Sequence, residues 1–294
     1  MRLATRASPL ALAQAGQVAD LLGGAELVPL TTAGDRDRAS GDKSRWVSEL
    51  ERALLDGEAD LAVHSAKDVP SELADGLVLA GSPARADARD ALCGAPGLDR
   101  LAPGARVGTS SLRRSAQLRA LRPDLDVVAL RGNVDTRLRK LAEGEFAAIV
   151  IARAGLLRLD RAGEAEVPLE PDRFVPAPGQ GTLALEARAD DAEVIARVRA
   201  IADPDTEACL AAERAAVRAL EADCHTPVGA HATNTPGTGL TLTVFVGAGD
   251  GSAWVRDRLE GRDPDELGAK VAARVLAAGA AEVLAAGAAE GPPR

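Results

Sequence analysis

Arginines recur in this chain where a strand should give way to a helix: Arg6 in RLATRASPLALAQ, Arg113 and Arg114 in RVGTSSLRRSAQL, Arg131 and Arg137 in VVALRGNVDTRLRKL. At such junctions the free backbone N–H groups and the positive end of the helix dipole favour anions. An arginine adds a planar, permanently charged fork that matches a carboxylate or phosphate. Repetition of the device points to one ligand with many negative charges. Two further residues could do chemistry. Asp68 in LAVHSAKDVP follows an apolar run directly and precedes Val-Pro, which keeps it extended. A carboxylate among cations stays ionised and could stabilise a cationic intermediate or pass protons, although spacing alone leans toward an Asx-turn or one half of a salt bridge. Cys224 in EADCHTPVGA lies between a helix end and a Pro-Val-Gly turn, so its thiol is open to a role as nucleophile, metal ligand or attachment point. No second thiolate or spaced histidine pair completes a metal pattern around it.

The elements that must position these residues alternate. Arg2 to Thr5 reads as a strand, Pro9 suits the first turn of a helix reaching Leu22, and ELVPLT (Glu26–Thr31) as a second strand. The stretch AGDRDRASGDKSR has no apolar period and should be a mobile loop. Trp46 to Leu55 reads as helix and LAVHS as a buried strand. This order predicts an open, largely parallel sheet with helices on both faces. A second unit of like layout starts near Asp90, with strand cores at Val107, Val127–Leu130 and Ala148–Ala152 and helices after Ser111, Asp135 and Ala154. Two such lobes would face a ligand cleft between them. The segment APGQGTLALEAR leads into an extended run, so Gly179-Gln180-Gly181 is a hinge or crossover and no dinucleotide fingerprint. Beyond Asp203 come a long Ala-rich helix, a hairpin turning at Gly-Asp-Gly and a final helix from Pro264, together a smaller α+β domain. Ligands of open α/β sheets bind outside the carboxyl ends of strands. Those ends carry Thr5-Arg6-Ala7-Ser8, His64-Ser65-Ala66-Lys67-Asp68, Thr109-Ser110-Ser111 and Arg131-Gly132-Asn133. Taken singly, each set could be helix-capping hydroxyls beside solvated arginines. Their recurrence favours a ligand.

Composition narrows the classes. A net charge of −9 argues against a general nucleic-acid footprint, and 2% aromatics with no Tyr removes stacking platforms for single strands. With no long apolar run, neither secretion nor a membrane span is expected. Three cysteines, Cys93, Cys209 and Cys224, without paired spacing suit free thiols in a cytoplasmic protein.

VHSAKDVP, VGTSSLRRSAQL, LRGNVDTRL, PAPGQG and the cysteine of DCHTPVGA occur in the order seen in the porphobilinogen deaminase (hydroxymethylbilane synthase) family, and the chain resembles that family from Arg2 to its C-terminal helix. The resemblance implies two α/β lobes like those of type 2 periplasmic binding proteins and a smaller α+β domain. Their bounds would be 1–83 with 182–200, 87–176 and 204–294. It implies a monomeric cytoplasmic transferase of tetrapyrrole and haem biosynthesis, without nucleic-acid or membrane partners and without a metal. Cys224 would hold a dipyrromethane cofactor through a thioether. Four porphobilinogen units would be deaminated and added in turn, and hydrolysis would release linear hydroxymethylbilane. By the same likeness Asp68 is the catalytic carboxylate. Arg6, Ser8, Ser65, Lys67, Thr109, Ser111, Arg113, Arg114, Arg131, Arg137 and Arg158 hold cofactor or substrate carboxylates, and Gln180 falls in the matching interdomain segment. Lys43 and Trp46 take the Lys and Phe places of a lid loop that reads GDKSRW here instead of Gly-Lys-Gly-Leu-Phe, and Ala222-Asp223-Cys224 replaces Gly-Gly-Cys. The missing glycine bears on lid flexibility, and the added carboxylate on cofactor loading. A non-catalytic protein that binds small polyanions would explain lobes and arginines equally well, but would have no use for Asp68 beside Lys67 or for a loop cysteine.

Overall fold

The computed structural model describes residues 1–32, 44–70, 72–164, 167–222, 226–237 and 239–288. Lys43 and Cys224, with most of the polar stretch before the second helix, lie outside the described residues. The chain divides into two compact units, Met1–Ala86 with Gly179–Leu210, and Asp87–Pro178 with Ala211–Arg294.

In the first unit β1 (Arg2–Arg6), β2 (Glu26–Leu30), β3 (Leu61–Ser65), β4 (Leu77–Gly81) and β10 (Leu183–Arg188) form one sheet in the order β2-β1-β3-β10-β4. Strand β1 runs parallel to both β2 and β3, and β10 runs antiparallel to β3 and β4. The expected largely parallel sheet is therefore mixed, because the chain comes back from residue 178 and inserts β10 in the opposite sense. Burial on both faces explains why β3 opens on the apolar run Leu61-Ala62-Val63, and buried His64 after it is paired with Glu186 Oε2 at 3.0 Å. One face packs Leu3, Leu61, Val63 and Leu185 against α1 (Pro9–Leu21) and α6 (Ala192–Arg199). The other packs Ala4 and Ala62 under Leu50 and Leu54 of α2 (Ser44–Leu55).

The second unit repeats the plan. Strands β5 (Asp90–Cys93), β6 (Arg106–Gly108), β7 (Asp126–Val128), β8 (Ala148–Ala152) and β9 (Val167–Leu169) lie in the order β7-β6-β8-β5-β9. Strand β6 is parallel to β7 and β8, whereas β5 is antiparallel to β8 and β9. Helices α3 (Leu112–Leu121), α4 (Val134–Ala142) and α5 (Arg153–Arg158) follow β6, β7 and β8. The same unit holds an antiparallel sheet of β11 (Val228–Thr235), β12 (Gly239–Gly247) and β13 (Trp254–Gly261), with α8 (Pro264–Ala277) and α9 (Ala280–Ala288). Helix α7 (Pro204–Ala219) gives residues 204–210 to the first unit and the remainder to the second. Cys93 and Cys209 are buried free thiols, as their apolar settings predict. Among the described residues no helix is long and apolar enough to cross a membrane.

Candidate active site

Each mixed sheet has a switch point. The chain moves from β1 outward to β2 and then returns to the other side of β1 for β3. In the second unit β7 and β8 flank β6 in the same way. Crevices at the carboxyl ends of such strands are where α/β sheets take ligands. Nearly all of the residues expected to do chemistry stand at these ends.

In the first unit Arg6 ends β1 and Ser8 caps α1, its Oγ accepting from Ala11 N at 3.3 Å. Pro9 occupies the first turn, where its missing N–H costs nothing. Ser65 ends β3, and its Oγ accepts from Gln14 Nε2 at 2.8 Å, tying α1 to the strand end. The two serines thus have structural work as cap and tether. Lys67 and Asp68 follow in a 3-10 turn, Ala66–Asp68, closed by Val69 N donating to Ala66 O at 3.2 Å. Asp68 is half-buried, and among the described residues no hydrogen bond or ion pair engages its carboxylate. Neither an Asx-turn nor a salt bridge accounts for it. Gln180 is buried, and its carbonyl accepts from Arg85 Nε at 2.9 Å.

In the second unit Thr109 follows β6, its Oγ1 accepting from Ser111 N at 3.2 Å, and Ser111 caps α3 by accepting from Arg114 N at 3.4 Å. Arg113 and Arg114 also have partners inside the protein. Their forks grip a carboxylate of the protein itself, Asp90, which is completely buried at the start of β5. Arg113 Nη1 donates to Asp90 Oδ2 at 2.8 Å and to Val175 O at 2.7 Å. Arg114 donates to Asp90 Oδ1 from Nη2 at 2.7 Å and from Nε at 3.0 Å, and from Nη1 to Val150 O at 3.1 Å. Burial pulls the Arg113 guanidinium below its ordinary range, and Asp90's charge pushes it back. Gln117, one turn on, clamps the same Val175 from both sides: its Oε1 accepts from Val175 N at 2.6 Å and its Nε2 donates to Val175 O at 3.0 Å. These two arginines lock α3 to β5, β8 and the segment that leaves the unit. The signal for this in the sequence is Asp90 itself, an acid opening the apolar strand DALC, which strand-end reasoning passes over.

The other expected arginines of this unit stand beside the N-terminus of α4, just after it and at the end of α5. Arg131 is exposed beside the N-terminus of α4, and among the described residues nothing pairs with its guanidinium. Gly132 next to it has φ +124°, and a Cβ there would lie 2.7 Å from Thr136 Cγ2, so only glycine fits this turn. Asn133 caps α4, accepting from Thr136 N at 2.9 Å. Half-buried Arg137 donates from Nε to Gly132 O at 2.9 Å, which ties the first turn of α4 to the glycine turn before it. Arg158 closes α5, and burial pulls it down to about 10, so an anion beside it would be stabilised. Arginine-rich strand ends and a half-buried, unengaged aspartate fit a polycarboxylate whose chemistry passes through positive charge.

Two α/β units, each with polar and arginine-bearing strand ends at a switch point, define the class as a two-unit α/β protein of the kind that takes ligands at those ends. Comparison with known proteins makes this specific. The family model described as porphobilinogen deaminase, dipyromethane cofactor binding domain, matches residues 1–196, and that of the porphobilinogen deaminase C-terminal domain matches residues 207–277. The chain belongs to the porphobilinogen deaminase family. A porphobilinogen deaminase of Brevibacillus brevis is 46% identical, covering 95% of this chain and 94% of its own length. Those of a Roseiflexus species and Deinococcus radiodurans are 49% and 45% identical, each over 94% of this chain and 96% and 94% of their own length. Among solved structures, a periplasmic substrate-binding protein of an ABC transporter from Coxiella burnetii aligns at 16% identity and a TM-score of 0.43, over 70% of this chain and 94% of that one. With the family comes the dipyrromethane cofactor that the first description names. In the second unit the donors that fit it are Arg131, Arg137 and Arg158, because its acidic substituents need cationic forks.

Proposed function

We propose that the chain is a transferase that deaminates four porphobilinogen units and joins them head to tail onto a covalently held dipyrromethane primer, releasing linear hydroxymethylbilane. The observation that carries the reading is Asp68: a half-buried carboxylate at a switch-point strand end, engaged by no other described group. The cofactor, when bound, supplies the pyrrole α-position to which the first unit is joined. Each addition breaks an aminomethyl C–N bond, releases ammonia, forms a C–C bond and displaces the α-proton. Asp68 balances the positive charge that builds on the pyrrole as ammonia leaves, and its Oδ atoms hold the displaced proton. Arg6, Lys67, Arg131, Arg137 and Arg158 hold the acetate and propionate groups that never react. Ser8, Ser65, Thr109, Ser111 and Gln180 line the strand ends, and Arg113 and Arg114 support the site through Asp90. Cys224 is the thioether anchor, and Lys43 belongs to a lid loop that runs into the first turn of α2, where Trp46 stands. The chain works as a cytoplasmic monomer of three domains, 1–83 with 182–200, 87–176 and 204–294.

Intact mass spectrometry tests the reading. Protein from a host with working tetrapyrrole synthesis should carry a dipyrromethane-sized adduct that Cys224→Ala abolishes. Asp68→Asn should keep the adduct but lose about 10²–10⁴-fold in single-turnover rate, the range of a lost proton-transfer group. Unmodified protein, or near-normal turnover in Asp68→Asn, would overturn it.

A further inference from the structure

The crossover that brings the chain back into the first unit does more than connect. Thr182 O accepts from Ala66 N at 3.0 Å, so the first residue of the turn bearing Asp68 hangs on the crossover backbone. The crossover is itself fixed: Thr182 N donates to Gly179 O at 3.1 Å, Ala86 N to Gly181 O at 3.2 Å and Arg85 Nε to Gln180 O at 2.9 Å. Gly179 has φ +73°, and a Cβ placed on it would lie 3.0 Å from each of three atoms: Ala66 C, Ala66 Cβ and Lys67 N. Two of these belong to the backbone of the 3-10 turn, so they cannot swing aside as a flexible side chain would. Beyond Asp68 the turn is pinned by buried Val69, which packs with Ala66, Ala184 and Leu210. A short turn closed by one hydrogen bond and held at both ends has no slack. Displacement at Ala66 and Lys67 passes to Asp68.

We propose that Gly179 is a positioning residue for Asp68: its bare backbone is the wall against which the Ala66–Asp68 turn is seated, and any side chain there moves the carboxylate. The proposal rests on the reading of Asp68 given above. It also separates two demands on Gly179 that a sequence cannot separate, left-handed backbone and zero width. Gly57 supplies the contrast, with φ +70° in the same unit but no atom within 4 Å of the place a Cβ would take. Asparagine tolerates the left-handed region, so Gly179→Asn tests width with little backbone strain, and Gly57→Asn carries that residual strain alone.

The experiment compares Gly179→Asn, Gly179→Ala, Gly57→Asn and Asp68→Asn, each isolated with its adduct mass and thermal midpoint measured. A few tenths of an ångström at a reacting group costs on the order of tenfold in rate, given that 1 Å can cost about 10²-fold. Both Gly179 variants should therefore lose about tenfold or more in kcat, with KM and adduct unchanged, while Gly57→Asn stays within about twofold. A merely structural glycine would lower the thermal midpoint without this split between kcat and KM. If Asp68→Asn is inactive yet Gly179→Asn turns over as fast as Gly57→Asn, the positioning role is refuted and Asp68 stands. If Asp68→Asn turns over normally, both fall together.

Discussion

Replacing Asp90 by Asn changes one oxygen for an NH2 group at the point where two guanidinium groups meet a single carboxylate. The amide can still accept from one arginine through its oxygen. Its nitrogen then faces a second guanidinium, donor against donor, where a charged contact of 2.8 Å or 2.7 Å stood before. The side chains of Arg113 and Asp90 are 4% and 0% exposed, so water does not take over the lost bonds. Breaking a buried ion pair by removing one partner costs about 3–5 kcal/mol, because the remaining charge stays desolvated. At about 2–4 °C per kcal/mol for a chain of this class, Tm should fall by roughly 6–20 °C. Calorimetry and urea titration on purified Asp90→Asn measure it. Asp126→Asn, which removes the exposed contact with Arg106 at 3.8 Å, is the control and should change stability by no more than about 0.5 kcal/mol. A loss for Asp90→Asn no larger than that of Asp126→Asn would refute the view that Arg113 and Arg114 are committed to the protein's own carboxylate.

Burial pushes Asp87 upward, but bonds from Arg89 and Arg153 outweigh it and hold the carboxyl at about 2. A depressed carboxylate contributes stability above its unfolded value and loses it as pH falls toward the folded one. Asp87→Asn should therefore cost about 2 kcal/mol at neutral pH, and the gap from the parent should close between about pH 4 and pH 2 in urea titrations. A gap constant across that window would contradict the pairing. Gly16 and Gly268 lie inside α1 and α8, so alanine at either gains up to about 1 kcal/mol of helix propensity. At Gly16 nothing lies within 4 Å and the gain should appear as a raised Tm. At Gly268 the new Cβ would sit 2.5 Å from Ala215 Cβ and 2.7 Å from Ala212 O on α7, so overpacking of about 1–3 kcal/mol wins and Tm should fall.

What is written locally is legible. Ser8 before Pro9 and Ser111 before Leu112 announce helix starts and cap their helices in the structure, whereas α4 starts at Val134 behind an Asn133 cap, ahead of the start after Asp135 that the pattern predicts. Apolar runs such as Leu61-Ala62-Val63 and AIVIA become β3 and β8 because strands buried on both faces need mostly apolar sequence. Strands β4, β5 and β9 are not among the elements that periodicity predicts. Strands β5 and β9 are short, with four and three residues, and β5 opens with an aspartate that reads as surface.

Residue types and short spacings also pick out the arginine-bearing strand ends, since the carboxyl end of a strand collects whatever follows it. For Asp68 they lean toward an Asx-turn or a salt bridge, and only the family resemblance makes it the catalytic carboxylate. Tertiary structure alone decides how those groups are used. It spends Arg113 and Arg114 on Asp90, more than twenty positions away in sequence, because sheet order places β5 beside β8 and within reach of α3. It leaves the Asp68 carboxylate unengaged among the described residues, and it lays Gly179 against Ala66 across more than a hundred positions. A sequence specifies which donors and acceptors exist. Which of them are satisfied inside the protein, and which remain for a ligand, depends on distances that only the folded chain sets.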